Sequence, residues 1–262
     1  MCVGVAAQTP ITRILLGGVS GEVTVFKADG SQAAGRSGML LQGSDRVRTG
    51  TTATGVLLFS NGIRVQLQPD SELVIEQFTR SSAAPPPAST SQEEGRSETR
   101  LRLNYGQVVG QVDKLREDSS FEVVTPVGIA GIRGTQFVVT LTRNGDGTFT
   151  ASLGVKEGLV EFRLAGAGAA AAATLVGANQ QVQVSGEVGA NGEVRILNFS
   201  GLQGLTPEAL QRIEAGVAVI VQQIRGAQGT RTNPTAPPPP PEPQVYTERG
   251  SGSISRPSSA NQ

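Results

Sequence analysis

Residues 121–137 read FEVVTPVGIAGIRGTQF. Phe121 and Val123 alternate with Glu122 and Val124, which is the period of a strand, and Thr125-Pro126 then breaks it. Proline cannot donate to a ladder and drives the residue before it toward extended geometry. Gly128, Gly131 and Gly134 follow at intervals of three, and Gln136-Phe137 re-enters a strand. The pattern predicts a tight, non-helical crossing between two strands, with glycines where a Cβ would forbid the backbone angle or a close approach. One charge, Arg133, sits among Ile129, Ile132 and Phe137. Buried there, its guanidinium needs acceptors, and its planar fork suits the carbonyls of the crossing. The other reading of Arg133 is a contact at a partner surface.

Outward from this stretch the chain reads as β-structure. GEVTVFK (21–27) alternates and turns at Ala28-Asp29-Gly30. VLLFS (56–60), Asn61-Gly62 and IRVQL (63–67) predict a hairpin with a type I′ turn, placing Ile63, Val65 and Leu67 on one face. LVIEQF (73–78) and RLRLN (100–104) are strands, Tyr105-Gly106 is a turn, and QVVGQV (107–112) is a further strand. QFVVTLT (136–142) and TFTASL (148–153) flank Asn144-Gly145-Asp146-Gly147, so Phe137, Val139 and Leu141 share a face with Phe149, Ala151 and Leu153. Asn144 and Asp146 are explained by turn chemistry, since a calcium loop needs more oxygens at defined offsets. A Gly-led turn entering a strand recurs at residues 21, 106 and 158. The expected class is therefore all-β, with short stacked antiparallel strands in a solenoid-like or sandwich-like arrangement.

The period changes over 206–225. Thr206 can cap, Pro207 suits the first helical position, and Leu210, Ile213, Val217, Ile220 or Val221, and Ile224 form an apolar stripe ended by Gly226. Docking on the β domain and association with a partner helix are the two uses open to that stripe. The expected organisation is an N-terminal segment (1–19) resembling the cleavage end of a secretory signal, a β domain (20–185) with a flexible Ser/Ala/Pro insertion (81–97), a β extension (186–204), an amphipathic helix (205–226) and a disordered Pro/Ser-rich tail (227–262).

Composition narrows function. The 262 residues carry 22 Lys plus Arg against 22 Asp plus Glu, which gives no field for nucleic acid. There is no His, removing the commonest general base and zinc ligand, and the single Cys closes no intrachain disulfide. No apolar run reaches the ~20 residues of a membrane helix. Aromatic content of 4% with no Trp implies an aliphatic core and a poor sugar platform. No catalytic set, cofactor or metal is expected. Asp45, Asp70, Asp113 and Asp118 are the carboxylates a glycoside hydrolase would draw on, but they sit in turns, where Asp serves local hydrogen bonding.

GSDRVRTG (43–50), the Asn-Gly hairpin within 57–73, LRLNYGQVVGQV (101–112), FEVVTPVGIAGIRGTQFVV (121–139), SLGVKEGLVEF (152–162) and VGANQQVQV (176–184) together resemble a FecR-type domain over residues 20–185. Thr125, Pro126, Gly131, Arg133, Gly134, Thr135 and Phe137 carry the motif. The resemblance implies an all-β extracytoplasmic domain. Founding members of the family relay a signal from an outer-membrane transporter to a sigma factor. The printed residues contain neither the helical sigma-regulating segment nor a membrane span, so the relay is not carried over. Ser44 also stands where the family usually has Gly. The implied role is a non-enzymatic periplasmic or secreted module, not integral to the membrane, that binds a protein or envelope component in signalling or assembly, presuming that a signal peptide was truncated. Alternatives are a cell-wall or polysaccharide-binding module and a structural envelope protein.

Overall fold

A computed structural model describes residues 12–81, 95–166 and 173–229. The signal-like residues 1–11, residues 82–94 of the insertion and the tail beyond 229 lie outside the described residues. In chain order the elements are β1 (Ile14–Ser20), β2 (Val23–Phe26), β3 (Gln32–Ala34), β4 (Met39–Leu41), β5 (Arg46–Thr49), β6 (Thr54–Phe59), β7 (Arg64–Leu67), β8 (Glu72–Arg80), β9 (Ser97–Gln111), β10 (Ser120–Thr125), β11 (Gly128–Ile132), β12 (Gln136–Arg143), β13 (Thr148–Glu157), β14 (Val160–Leu164), β15 (Thr174–Val176), β16 (Gln180–Val188), β17 (Val194–Phe199), β18 (Gln203–Gly204) and α1 (Pro207–Gly229).

Pairing sorts the strands into two sheets. The first runs β4-β1-β6-β7-β9-β12-β13-β16, with β17 and β18 both on the far side of β16. The second runs β3-β2-β5-β8-β9-β10-β11-β14-β15. Only β9 is in both. The inward residues of both sheets form one core cluster, from Leu16, Leu57 and Val65 on one side to Val47, Leu73 and Leu101 on the other. This is a sandwich, and every pairing in it is antiparallel except β9 with β10, which is parallel.

The hairpins are built alike. In Lys27–Ser31, Phe59–Ile63, Asn144–Thr148 and Gly189–Glu193 the first N–H donates to the last carbonyl, and the glycine N–H donates to the first carbonyl. Gly30, Gly62, Gly147 and Gly192 have φ of 85, 89, 84 and 79°, while Asn61 stays at negative φ. The type I′ expectation at Asn61-Gly62 is thus corrected to a three-residue loop with one left-handed glycine. The reason lies in the residue before it. Asp29, Asn61 and Asp146 each accept, through Oδ1, the N–H two residues on (2.8, 3.3 and 2.9 Å). That local bond competes with the left-handed conformation a type I′ turn would require.

Tyr105-Gly106 is not a turn between strands. β9 is continuous for 15 residues, pairing with β8 and β10 as far as Tyr105 and with β7 and β12 from Gly106. Gly106, at φ 90°, is the corner where the strand passes between sheets. Ser71 clamps it: the Gln107 N–H donates to Ser71 Oγ at 2.9 Å, and Ser71 N–H donates to the buried Thr49 Oγ1 at 3.0 Å. Residues 14–19, placed by sequence in the N-terminal segment, belong to β1 of the first sheet, with Ile14 and Leu16 in the core. Their two adjacent glycines hide the strand period.

Ser44 occupies a position at φ 70°, which an L-residue adopts at a cost of about 1–2 kcal/mol. This is why glycine suits the site. Ser44→Gly is expected to stabilise the protein by about 0.5 kcal/mol, the relief being partly offset by glycine's greater unfolded entropy. The check is a denaturant midpoint that rises at unchanged slope.

The helix docks. Ile213 packs with Val109 and Val138 on the outer face of the first sheet, flanked by Leu205, Ala209 and Val217. Thr206 Oγ1 accepts the Ala209 N–H at 3.3 Å as the N-cap. Gly216, which propensity alone would count as a weakness, is the close-contact point: a Cβ there would lie 2.6 Å from Val109 Cγ1. Gly226 does not end the helix, which runs to Gly229.

Candidate functional site

The stretch 121–137 contains not a crossing between two strands but β10, β11 and the start of β12. β11 was not legible because GIAGI has too few large side chains to show a period. Thr125 and Gly128 close a two-residue turn, Pro126-Val127. Thr125 Oγ1 donates to the Gly128 carbonyl at 2.9 Å and accepts its N–H at 3.1 Å, while Val127 is fully buried. Proline's fixed φ suits the first turn position. Phe137 is buried against Phe121, with ring centroids 6.1 Å apart. Thr135 is 3% exposed and accepts the Val112 N–H through its carbonyl at 3.0 Å.

The signature glycines differ in purpose. Gly134 has φ 128°, and Gly128 abuts the Phe162 ring. Gly131 is under neither constraint: its φ is ordinary, and the nearest atom to a Cβ there, the Glu161 carbonyl oxygen, would be 3.5 Å away. It lies in the middle of β11 opposite Glu122 and Glu161 on the outer face. Its missing side chain leaves a dent of about 190 Å³, bordered by Arg133, Arg163, Leu159 and Leu175. Leu159 and Leu175 are 51% and 55% exposed.

Arg133 is exposed, and its Nη1 donates to the Glu117 carbonyl at 3.0 Å. The sequence reading supplied it with several acceptors inside the crossing; the structure supplies one, in the β9–β10 loop. The guanidinium therefore stands at the rim of the dent. Sequence reasoning did not single out Glu122, Leu159, Arg163 or Leu175 as companions. The only local signal was a leucine directly after the Glu157-Gly158 turn, where a polar residue is the common choice.

Around the dent, the outer face of the second sheet is laced with ion pairs. Arg163 approaches Glu122 at 3.4 Å and Glu161 at 3.6 Å. Arg100 also bonds Glu122, and both Arg100 and Arg102 bond Glu76. Further along, Glu72 is 4% exposed and takes Arg48 at 2.6 Å, Arg46 at 3.7 Å and the Asn104 amide at 2.8 Å. Arg46 and Arg48 stack over Phe26, with 4.2 and 5.0 Å from guanidinium carbon to ring centroid.

Burial pushes the Glu72 carboxyl up, but hydrogen bonds from Asn104 and Arg48 and the charges of Arg46 and Arg48 more than offset it, leaving it below the usual range. A folded pKa below the unfolded one gives stability that is present above the ordinary glutamate value of about 4.3 and lost as pH falls through the folded value. Glu72→Gln is expected to destabilise at pH 7 by about 1–3 kcal/mol, by leaving two arginines short of their acceptor. It also flattens the stability profile below pH about 4.3 relative to the parent, as read by denaturant melts across pH.

Of the carboxylates considered for hydrolysis, Asp45, Asp113 and Asp118 have structural partners, while Asp70 is held through its backbone. Asp45 is buried, pairs with Lys27 at 2.8 Å and accepts the Gln42 N–H at 2.9 Å. Asp113 pairs with Arg64 at 3.2 Å. Asp118 is held below the carboxylate range first by its hydrogen bond from Arg116, and Asp70 sits at φ 50° with its N–H on the Gly50 carbonyl. Asp146 is lowered by the Thr148 hydroxyl and then by the Thr148 N–H, and Asn144 binds the Thr148 and Thr150 hydroxyls. Asp146 Oδ1 and the Asn144 amide nitrogen are thus engaged locally at the turn.

Residues 45–161 match the family described as FecR protein, a shorter span than the 20–185 expected from sequence. The chain also aligns with crystal structures at 2.50 and 1.65 Å of a protein from Parabacteroides distasonis ATCC 8503, each described as a "putative anti-sigma factor". Each alignment has 16% identity and a TM-score of 0.37 over 58% of this chain. This chain spans 59% of the length of either. No match was found to a curated protein.

Proposed function

The chain carries a FecR domain at residues 45–161, and on that premise we propose that it is a non-enzymatic, extracytoplasmic module that binds another protein in envelope signalling or assembly. The observation that carries the reading is the dent over Gly131. A glycine with no conformational need lies on an exposed sheet face between two half-exposed leucines and an exposed arginine. Apolar anchors beside arginine, ringed by satisfied charge pairs, are the composition of a protein-binding patch. Among the described residues no helix is long and apolar enough to cross a membrane.

The test is photo-crosslinking in the native cell, with the reactive residue placed at Leu159 or Leu175 and, as control, at Glu208 on the exposed side of the helix. The reading expects one discrete protein adduct from the first two positions, in the envelope fraction, and none from the control. Adducts only to wall glycan, equal labelling at all three positions, or a wholly cytoplasmic protein would overturn it. Arg133→Ala is expected to lower stability by no more than about 1 kcal/mol, since one exposed carbonyl contact is lost. The same substitution reduces the yield of the Leu159 adduct. A large fall in melting temperature with full adduct yield would return Arg133 to a structural role.

A further inference from the structure

The register of the second sheet fixes which side chains border the dent over Gly131. Glu122, Gly131 and Glu161 stand opposite one another across β10, β11 and β14, and Leu175 continues that row on β15. One step beyond the paired residues Phe121, Ile132 and Val160, Arg133 and Leu159 flank the ends of β11 and β14. A guanidinium and an aliphatic anchor are therefore neighbours on the rim, with a second aliphatic anchor on the next strand. The dent, at about 190 Å³, is smaller than the ~300–1,000 Å³ of a small-molecule site and suits side chains instead. The one ring bordering it, Phe121, is 1% exposed, so a sugar finds no face on which to stack.

Charge selects among side chains. The dent is bordered by Glu122, Arg133, Glu161 and Arg163. Arg163 lies against both glutamates, and Arg100 bonds Glu122 from β9. Arg133 is different: it makes no ion pair among the described residues, and its contact is one main-chain carbonyl, that of Glu117, through Nη1. The Glu117 carboxylate is itself exposed and does not pair with it. The rest of the Arg133 fork thus has no protein acceptor among the described residues, on a residue that is exposed. A cation brought by a partner would compete with Arg163 and Arg100 for carboxylates already engaged. A carboxylate meets a guanidinium with donors to spare, in the geometry that gives strong charge-assisted bonds.

We propose that the dent receives an acidic, aliphatic segment of a partner protein, whose carboxylate pairs with Arg133 while its aliphatic side chains pack on Leu159 and Leu175. The inference rests on the protein-binding reading of the dent and names the chemistry of the occupant. Its test uses purified protein and a synthetic peptide. A missing envelope adduct leaves the peptide preference standing, and a missing preference leaves the adduct standing, so the two failures are distinct.

Full-length protein is titrated with the peptide acetyl-Leu-Thr-Asp-Thr-Leu amide, which in extended form presents Leu, Asp and Leu on one face. Two-dimensional NMR follows the amides of Ser120, Gly131, Arg133, Leu159 and Leu175. The same peptide with Asn or Lys in place of Asp is run in parallel. Saturable shifts at these residues are expected with the Asp peptide at a roughly millimolar Kd, about threefold or more tighter than with the Asn peptide, and weakest with the Lys peptide. Arg133→Gln is expected to bring the Asp peptide down to the affinity of the Asn peptide, while the Asn peptide itself stays within about twofold of its parent value. That split identifies a contact to charge, because a distorted dent would weaken both peptides. The proposal is overturned by equal binding of the Asp and Asn peptides, by preference for Lys, by an Asp preference that survives Arg133→Gln, by saturation without shifts at these residues, or by no binding at all.

Discussion

Gly106→Ala is expected to be the most damaging small substitution in the chain, lowering stability by about 4 kcal/mol or more. Two costs combine. At φ 90° an alanine pays the left-handed penalty of about 1–2 kcal/mol. Its Cβ would also lie 2.3 Å from Ser71 Oγ, 2.5 Å from the Asp70 carbonyl oxygen and 2.5 Å from Ser71 Cα. Two of those atoms are backbone, so no side-chain rotation relieves the overlap. The displaced residue is also the one that clamps the corner through the Gln107 N–H and the Thr49 hydroxyl. Against a total of about 5–15 kcal/mol for a domain, such a loss appears as a large fall in the denaturation midpoint or as protein recovered insoluble. A variant melting within ~1 kcal/mol of the parent would mean that the strand can turn between sheets without this corner.

Gly158→Ala should come next, at about 3 kcal/mol or more, and it strikes the signature from a distance. Gly158 has φ 89°, and a Cβ there would lie 2.2 Å from the Gly134 carbonyl oxygen and 2.6 Å from Thr135 Cγ2. The β13–β14 turn thus rests directly on Gly134-Thr135. Relaxation must either open that turn or push Gly134-Thr135 toward Lys114, whose Cα already crowds the Gly134 position at 3.0 Å from a would-be Cβ. The expected readout is a lower denaturation midpoint with amide shift changes concentrated at residues 111–114 and 133–136. Unchanged shifts there, with normal stability, would show that turn and signature move independently.

Much of the β architecture was legible because its punctuation is local. The Asp29-Gly30, Asn61-Gly62 and Asp146-Gly147 pairs each settle a reversal within five residues, through a side chain bonding its own backbone and a glycine accepting positive φ. The shared inward face of Phe137, Val139 and Leu141 with Ala151 and Leu153 followed from period and turn length, as did the stripe centred on Ile213. What misled was also local. Tyr105-Gly106 looks like any turn, and only the Ser71 backbone beside it shows a strand turning a corner. β1 and β11 are poor in periodic large residues, and the Pro126-Val127 turn between β10 and β11 has no Asx-Gly mark.

The candidate surfaces were the least legible part. Gly128, Gly131 and Gly134 are equally spaced and identical as letters, yet one meets Phe162, one adopts φ 128° and one meets nothing closer than 3.5 Å. Arg133 reads as a charge among apolar neighbours, but β11 and β12 are arranged so that Ile132 and Phe137 turn inward while the guanidinium remains outside. The sequence by itself determined the reversals marked by an Asx-Gly pair, which residues face the core across those hairpins, and that one amphipathic helix follows, because each depends on atoms a few residues apart. Tertiary structure alone decided that β9 joins two sheets, that β10 runs parallel to it, and that Leu159 and Leu175 border the same dent as Gly131, because each depends on strands brought side by side by packing of a common core.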